Sequence, residues 1–120
     1  MKKILVAEDD PAIIDALSLI LGAEGYEVLS AKTSPQIFAA LEQKPHLLLL
    51  DIRLSGADGS EICMEVKNSP QHADTPVILM SANPDIESIA QEVRADGFIN
   101  KPFEMSQLLE KLAEYLEAFS

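Results

Sequence analysis

Asp51 closes a run of four leucines, Leu47 to Leu50, and Glu8, Asp9 and Asp10 close a second apolar run, Ile4 to Ala7. Ser81 and Ala82 come after a third, Val77 to Met80, and Asn100, Lys101 and Pro102 come after the shorter pair Phe98-Ile99. Carboxylates, an amine and a hydroxyl are groups that bind a cation, hold an anion and supply an oxygen nucleophile. Taken one at a time, each has a plainer reading. Asp10 ahead of Pro11 is a helix cap, Asp58 a cap or turn residue, Ser81 a loop hydroxyl and Phe98 a packing residue. The deciding question is whether the fold gathers them.

Gathering them has an electrostatic consequence. Two carboxylates about 4 Å apart repel by about 4 kcal/mol at an effective dielectric near 20. Glu8, Asp9 and Asp51 at one point therefore require positive charge among them. A hard divalent cation with a preference for oxygen meets that need, and Mg²⁺ suits a site that supplies few carboxylates and leaves waters in place. Lys101 would add a second positive charge and Ser81 a hydroxyl donor, both suited to the equatorial oxygens of a phosphoryl group in transfer. Asp51, nearest the middle of the expected sheet, is the expected nucleophile, a carboxylate that attacks phosphorus to give an acyl phosphate.

The elements that must position these groups follow from periodicity. The three longer apolar runs lack alternation, as strands buried on both faces do. Tyr26 to Ser30 mixes Glu27 and Ser30 with Val28 and Leu29, the composition of an edge strand. Between the runs lie residues at helical spacing: Ile13, Leu17, Ile20 and Leu21 behind Asp10-Pro11, then Ile37, Phe38 and Leu41 behind Ser34-Pro35. Ile62 and Val66 stand behind Asp58, and Ile86, Ile89, Ala90 and Val93 behind Asn83-Pro84. Met105, Leu108, Leu109, Leu112 and Leu116 form the last such set. This alternation predicts an α/β fold, (βα) repeated five times and doubly wound, with a five-stranded parallel sheet in the order 2-1-3-4-5 and helices on both faces. Ligands of such sheets bind beyond the carboxyl ends of the strands, at the switch point between strands 1 and 3. With neighbouring strands about 4.8 Å apart, the groups that follow strands 1, 3, 4 and 5 converge on one shallow pocket.

Composition bounds the reading further. The 120 residues, 48% hydrophobic and 24% charged, suffice for one domain, residues 1–120, with its own core. Twenty acidic against 9 basic residues give a net charge of −11, which disfavours direct contact with nucleic acid and favours cations and basic partners. Most of these acids are solvated surface. Cys63 is the only cysteine, so no internal disulfide forms, and with Met64 it reads as a packing residue. His46 and His72 have no second histidine at ligand spacing and read as structure or surface. The apolar run behind Lys2-Lys3 spans four residues, too few for a signal peptide or a membrane span, and a cytoplasmic location is expected.

Four blocks, ILVAEDD from Ile4, LDIRLSGADG from Leu50, PVILMSA from Pro76 and GFINKPF from Gly97, resemble in order and spacing the signature blocks of two-component response-regulator receiver domains. The resemblance is chemotaxis-regulator-like, covers nearly the whole chain and implies a flavodoxin-like fold. It implies that Asp51 accepts a phosphoryl group from a phosphohistidine on a sensor histidine kinase or a histidine phosphotransfer protein. Asp9, Asp51 and the backbone carbonyl of Arg53 would hold Mg²⁺, with Glu8 acting largely through water. Lys101 would contact the phosphate, ahead of a cis bond to Pro102. Ser81 would move onto the phosphoryl group and Phe98 would turn inward behind it. That coupling would shift a pre-existing equilibrium at the face of helix 4, strand 5 and helix 5, where a downstream protein docks. The domain would assist its own phosphorylation and dephosphorylation while serving as a signalling element.

Three departures stand out. The family usually has proline at the position of Ser55 and glycine near Arg94, so a less rigid loop and a different end to helix 4 are expected. Arg53 and Asn83 fall at variable positions that tune phosphoryl lifetime in the family. Two rival chemistries fare poorly. A haloacid-dehalogenase-type phosphatase needs a second acid where Arg53 stands, and a flavodoxin-like cofactor binder needs a Ser/Thr/Gly-rich loop where Glu8-Asp9-Asp10 would repel phosphate. For output, the expectation is a stand-alone receiver, as a monomer or a phosphorylation-dependent dimer. The alternative is the N-terminal receiver of a larger regulator such as a DNA-binding transcription factor. The sequence that follows Glu104 has a single lysine, Lys111, and lacks an arginine-bearing dimerisation pattern.

Overall fold

The run of leucines before Asp51 forms the central strand of the sheet. The computed structural model describes residues 1–54 and 56–116, so the expectation about Ser55 lies outside the described residues. The strands are β1 (Lys3–Ala7), β2 (Glu27–Ala31), β3 (Leu47–Asp51), β4 (Arg53–Leu54), β5 (Ala57–Asp58), β6 (Val77–Ser81) and β7 (Gly97–Asn100). The helices are α1 (Pro11–Ala23), α2 (Ser34–Leu41), α3 (Gly59–Asn68), α4 (Ile86–Glu92) and α5 (Met105–Leu116). Five parallel strands pair in the order β2-β1-β3-β6-β7, the predicted order, with β6 and β7 as the expected fourth and fifth strands. The short antiparallel ladder β4-β5 was not expected; it folds the chain back between Asp51 and α3.

The absence of alternation in the central strands has a direct cause. Successive side chains of a strand point to opposite faces, and here both faces are covered. Leu5, Leu48, Leu50 and Leu79 pack with α2, α3 and α4, while Ile4, Val6, Leu49 and Ile78 pack with α1 and α5. All eight have no solvent exposure. Shortening one of them to alanine would cost roughly 2–5 kcal/mol. The two edge strands, β2 and β7, keep exposed positions, as their mixed composition implies.

Helix starts agree with the capping signals in two cases. Asp10 accepts the Ala12 amide at 3.0 Å with Pro11 in the first turn, and Asp58 accepts the Ser60 amide at 2.9 Å. For α2 the cap is Thr33, one residue before Ser34, accepting from Gln36 at 3.3 Å. Gln36 then reaches back to the Lys32 amide at 2.8 Å, a reciprocal arrangement that a cap at Ser34 would forfeit. The fourth helix starts later than Asn83-Pro84 suggests. Asn83 Oδ1 accepts the Asp85 amide at 2.8 Å, and this local turn delays α4 to Ile86.

The end of α4 corrects another expectation. Arg94 stands where glycine is usual, yet the helix ends in the way glycine would end it. Arg94 takes φ +61°, its amide reaches Gln91 at 3.3 Å and the Ala95 amide reaches the Ala90 carbonyl at 2.9 Å. This is a Schellman end built on a left-handed arginine, a conformation that costs about 1 kcal/mol in a residue with a Cβ. A side-chain hydrogen bond from Arg94 to Asn68 on α3 helps hold it. The half-buried Lys67 is a second unforeseen feature. Its ammonium meets Asp96 at 2.6 Å and the carbonyls of Ala73 and Thr75, while Asp96 also accepts the Val77 amide at 2.8 Å.

His46, expected to serve structure or surface, is exposed and joins β1 to β3. Its amide donates to the Lys3 carbonyl at 2.8 Å, and its Nδ1 accepts the Lys3 amide at 2.9 Å. Burial, followed by the charges of Lys2, the amino terminus and Lys3, pushes the imidazole below its ordinary pKa. The folded form then holds fewer protons than the unfolded chain in the window just below the ordinary histidine value. Stability is present above that value and lost as pH falls through the lowered one. Urea melts from pH 7 to about pH 5 should therefore show a loss that shrinks in His46→Asn, whose carbonyl oxygen accepts the same amide without titrating.

Candidate functional site

The parallel sheet brings the ends of β1, β3, β6 and β7 side by side, and the polar residues beyond them form one cluster. Glu8 and Asp51 are almost wholly buried, 1% and 5% exposed, at the lip of an apolar core. Carboxylate oxygens of Glu8, Asp9 and Asp51 all lie within 4.8 Å of one another. Lys101 reaches in from the turn after β7 and donates to Asp51 Oδ2 at 2.8 Å and to Glu8 Oε2 at 3.0 Å. The remaining oxygens are held by backbone. Asp51 Oδ1 accepts the Arg53 amide at 3.1 Å, and Glu8 Oε1 accepts the Asp10 amide at 3.3 Å.

One ammonium thus serves two buried carboxylates, with Asp9 alongside. Burial pushes the Glu8 carboxyl above the usual glutamate range, and its hydrogen bond and charge contact with Asp51 push the same way; Lys101 opposes them without prevailing. For Lys101 burial alone would lower the pKa, but its bonds to Asp51 and Glu8 outweigh burial and raise it. Burial leads the Glu8 shift, and the closeness of negative charge adds to it; the same negative charge is what raises Lys101. A second cation is therefore electrostatically called for, and an all-oxygen donor set of three carboxylates fits a hard metal ion.

Beside Asp51 a cavity of about 450 Å³ is lined by Arg53, Ser81, Asn83 and Lys101 among others. Ser81 is buried, and its hydroxyl oxygen accepts the Asn83 amide at 2.9 Å, which leaves the O–H to donate. Arg53 and Asn83 have exposed side chains at the rim of that cavity. The peptide between Lys101 and Pro102 is cis. Phe98 stands apart from the carboxylates. It is half-buried on β7, paired in register with Leu79, and lies against the α4 side of the core. Asp10 and Asp58 are caps, as expected, and Cys63 is a fully buried packing residue whose thiol burial pushes up to about 11.

Gly59 is a residue whose role the sequence alone did not disclose. A Cβ at that position would lie 2.2 Å from the Asp51 carbonyl oxygen, so only glycine lets α3 begin this close to β3. Its amide donates to the Ile52 carbonyl at 2.7 Å and ties the helix start to the backbone that carries Asp51. The signal was a glycine just after a capping aspartate, which also reads as an ordinary turn residue.

Comparison with known proteins agrees with this geometry. Residues 4–113 match the model of the response regulator receiver domain. The phosphate regulon transcriptional regulatory protein PhoB of Pseudomonas aeruginosa is 34% identical over 118 residues, covering 96% of this chain and 52% of that protein. The DNA-binding dual master transcriptional regulator RpaA of Synechocystis is 33% identical over 119 residues, covering 97% of this chain and 49% of that protein. The chain therefore spans about half the length of these curated relatives. Among solved structures, the chemotaxis protein CheY4 of Vibrio cholerae superposes with a TM-score of 0.88 at 26% identity, covering 97% of this chain and 99% of that one. The chain belongs to the response regulator receiver domain family, the signalling switch of two-component systems. Among the described residues no helix is long and apolar enough to cross a membrane.

The charge excess makes a prediction about stability. Asp9→Asn removes one of three mutually close carboxylates and should raise the metal-free unfolding free energy, on the order of 1 kcal/mol after solvent screening. The same variant should lose most of the stabilisation that a divalent cation gives the wild type. Thermal melts with and without the cation check both effects, and unchanged melts would contradict the charge account.

Proposed function

We propose that Asp51 accepts a phosphoryl group from a phosphohistidine on a sensor histidine kinase or a histidine phosphotransfer protein, and that Mg²⁺ is the metal required. The observation that carries this reading is the position of Asp51. Its Oδ2 and the Lys101 ammonium are 2.8 Å apart at the edge of the cavity that Ser81 also lines. An oxygen of Asp51 forms the new bond to phosphorus while the bond to the histidine nitrogen breaks and the imidazole departs with the electron pair. Lys101 sits where negative charge develops on the transferred group, and the Ser81 hydroxyl donates to one of its oxygens. Glu8, Asp9, Asp51 and the Arg53 carbonyl would hold Mg²⁺, which neutralises charge on the phosphoryl oxygens when bound. The Arg53 amide on Asp51 Oδ1 orients the carboxylate so that its other oxygen faces the cavity.

The same groups assist removal of the phosphoryl group by water, so the domain sets its own lifetime in the signalling state. Phosphorylation draws Ser81 towards the phosphoryl oxygens and lets Phe98 turn inward. The changed surface is that of α4, β7 and α5, read by a downstream protein or by a second copy of the domain. Residues 1–120 act as one receiver unit. A second reading, in which the unit controls an attached DNA-binding output, is favoured by the two curated relatives, both named as transcriptional regulators. A net charge of −11 makes direct DNA contact by these residues themselves unfavourable.

Incubation with a small phosphodonor and Mg²⁺ should label the wild type and leave Asp51→Asn unlabelled, with labelling abolished by a chelator. An Asp51→Asn protein that still takes up label would overturn the assignment. Arg53 and Asn83 at the cavity rim should set the decay of the labelled state. Arg53→Ala and Asn83→Ala are expected to change the acyl-phosphate half-life, and identical half-lives in both would remove them from that role.

A further inference from the structure

Phe98 is bounded by open space on two sides. Towards α4 lies a cleft of about 230 Å³ that includes Glu87, Ala90 and Tyr115 in its walls. Along the outer edge of β7 runs a groove of about 520 Å³ that includes Asn100, Gln107 and Glu110. Phe98 and Lys111 line both, and the Lys111 ammonium lies 5.9 Å from the centroid of the Phe98 ring. Lys111 is the only basic residue of α5, a helix that also carries Glu110 and Glu114. Among the described residues, none of the ion pairs within 4.0 Å involves Lys111. The one cation on this helix is thus directed to an aromatic face rather than to the acids beside it.

The ring has somewhere else to go. The cavity of about 450 Å³ around Ser81 lies at the end of the neighbouring strand, and Phe98 does not line it. Leaving its present position for that cavity would carry the ring away from the ammonium. An exposed or half-exposed cation–π contact biases two such positions by about two- to five-fold.

We infer that Lys111 is a positioning residue for Phe98: its ammonium over the ring holds Phe98 between α4 and α5 and sets how rarely the resting protein turns that ring towards Ser81. The inference rests on the proposed reading of Phe98 as the moving ring. Lys111 touches neither the phosphoryl group nor the carboxylates and acts only through the aromatic side chain. Its consequence is a threshold. A weaker hold raises the fraction of unphosphorylated protein that already has the signalling conformation, and a stronger hold lowers it.

The test uses the full chain labelled with fluorophenylalanine and fluorine NMR, with the Phe98 signal assigned by its disappearance in Phe98→Leu. Lys111→Met keeps the length of the side chain and removes its charge; Lys111→Arg keeps the charge. Without a phosphodonor, the Phe98 signal of Lys111→Met should move part of the way towards its position in wild type saturated with Mg²⁺ and beryllofluoride, with a two- to five-fold larger inward population. Phosphorylation by phosphoramidate should quicken by the same factor, and Lys111→Arg should match the wild type in both. A Phe98 signal in Lys111→Met at the wild-type position, while beryllofluoride still moves it, would overturn the positioning role alone. A wild-type Phe98 signal that ignores beryllofluoride would overturn the reading of Phe98 on which the inference stands.

Discussion

Two buried carboxylates sharing one ammonium, with a third carboxylate within 4.8 Å, at the end of a parallel sheet is the constraint around which the rest of the molecule is arranged. Glu8 and Asp51 follow two apolar runs, Ile4 to Ala7 and Leu47 to Leu50, that have no exposure. Their charges would be costly there without Lys101 at 2.8 and 3.0 Å. Lys101 resolves only part of the imbalance, since burial and Asp51 together still raise the Glu8 pKa. A site left short of positive charge attracts what it lacks. That property suits a switch, whose resting state must be ready to take up a cation and an anionic group without rebuilding its framework.

The framework follows from that need. Four strand ends supply the pair Glu8 and Asp9, the Asp51 carboxylate, the Ser81 hydroxyl and the Lys101 ammonium, and only a sheet buried on both faces holds these ends in register at strand spacing. The leucines of β3 serve both core layers at once and leave Asp51 little freedom to shift. Gly59 and the Arg53 amide then fix the backbone and one oxygen of Asp51 from the far side. The edge of the sheet at β7 is less enclosed than its centre. There β7 keeps exposed positions, Phe98 is half-buried between two openings, and α4 has seven residues. The proposed chemistry centres on the enclosed middle of the sheet, and the proposed readout lies at its more open edge.

Much of this was legible in the residues themselves, and what was not has identifiable causes. Unalternating apolar runs, capping signals and helical spacing were enough for the strand order and all five helices, because burial on both faces and cap chemistry are local properties. The convergence of Glu8, Asp9, Asp51, Ser81 and Lys101 was legible because strand order determines which ends are neighbours. Missed features depend on contacts between distant segments. Arg94 argues locally against a left-handed helix end, but tertiary contacts, including Asn68, hold it there. Thr33 displaced Ser34 as a cap because Gln36 completes the arrangement from three residues on. The β4-β5 ladder is two residues a side, too short to show a period. The Lys67–Asp96 pair and the Lys111–Phe98 contact join residues 29 and 13 positions apart with no motif between them.

The central claim is that Asp51, among several clustered acids, is the one that carries the phosphoryl group. The most direct measurement is borohydride reduction of the phosphorylated protein followed by peptide mass mapping, because borohydride converts an acyl phosphate on aspartate to homoserine. The account predicts homoserine at position 51 and unmodified Glu8, Asp9 and Asp10. Reduction at any of those three in place of position 51, or a phosphorylated protein with no reducible carboxyl group, would contradict it.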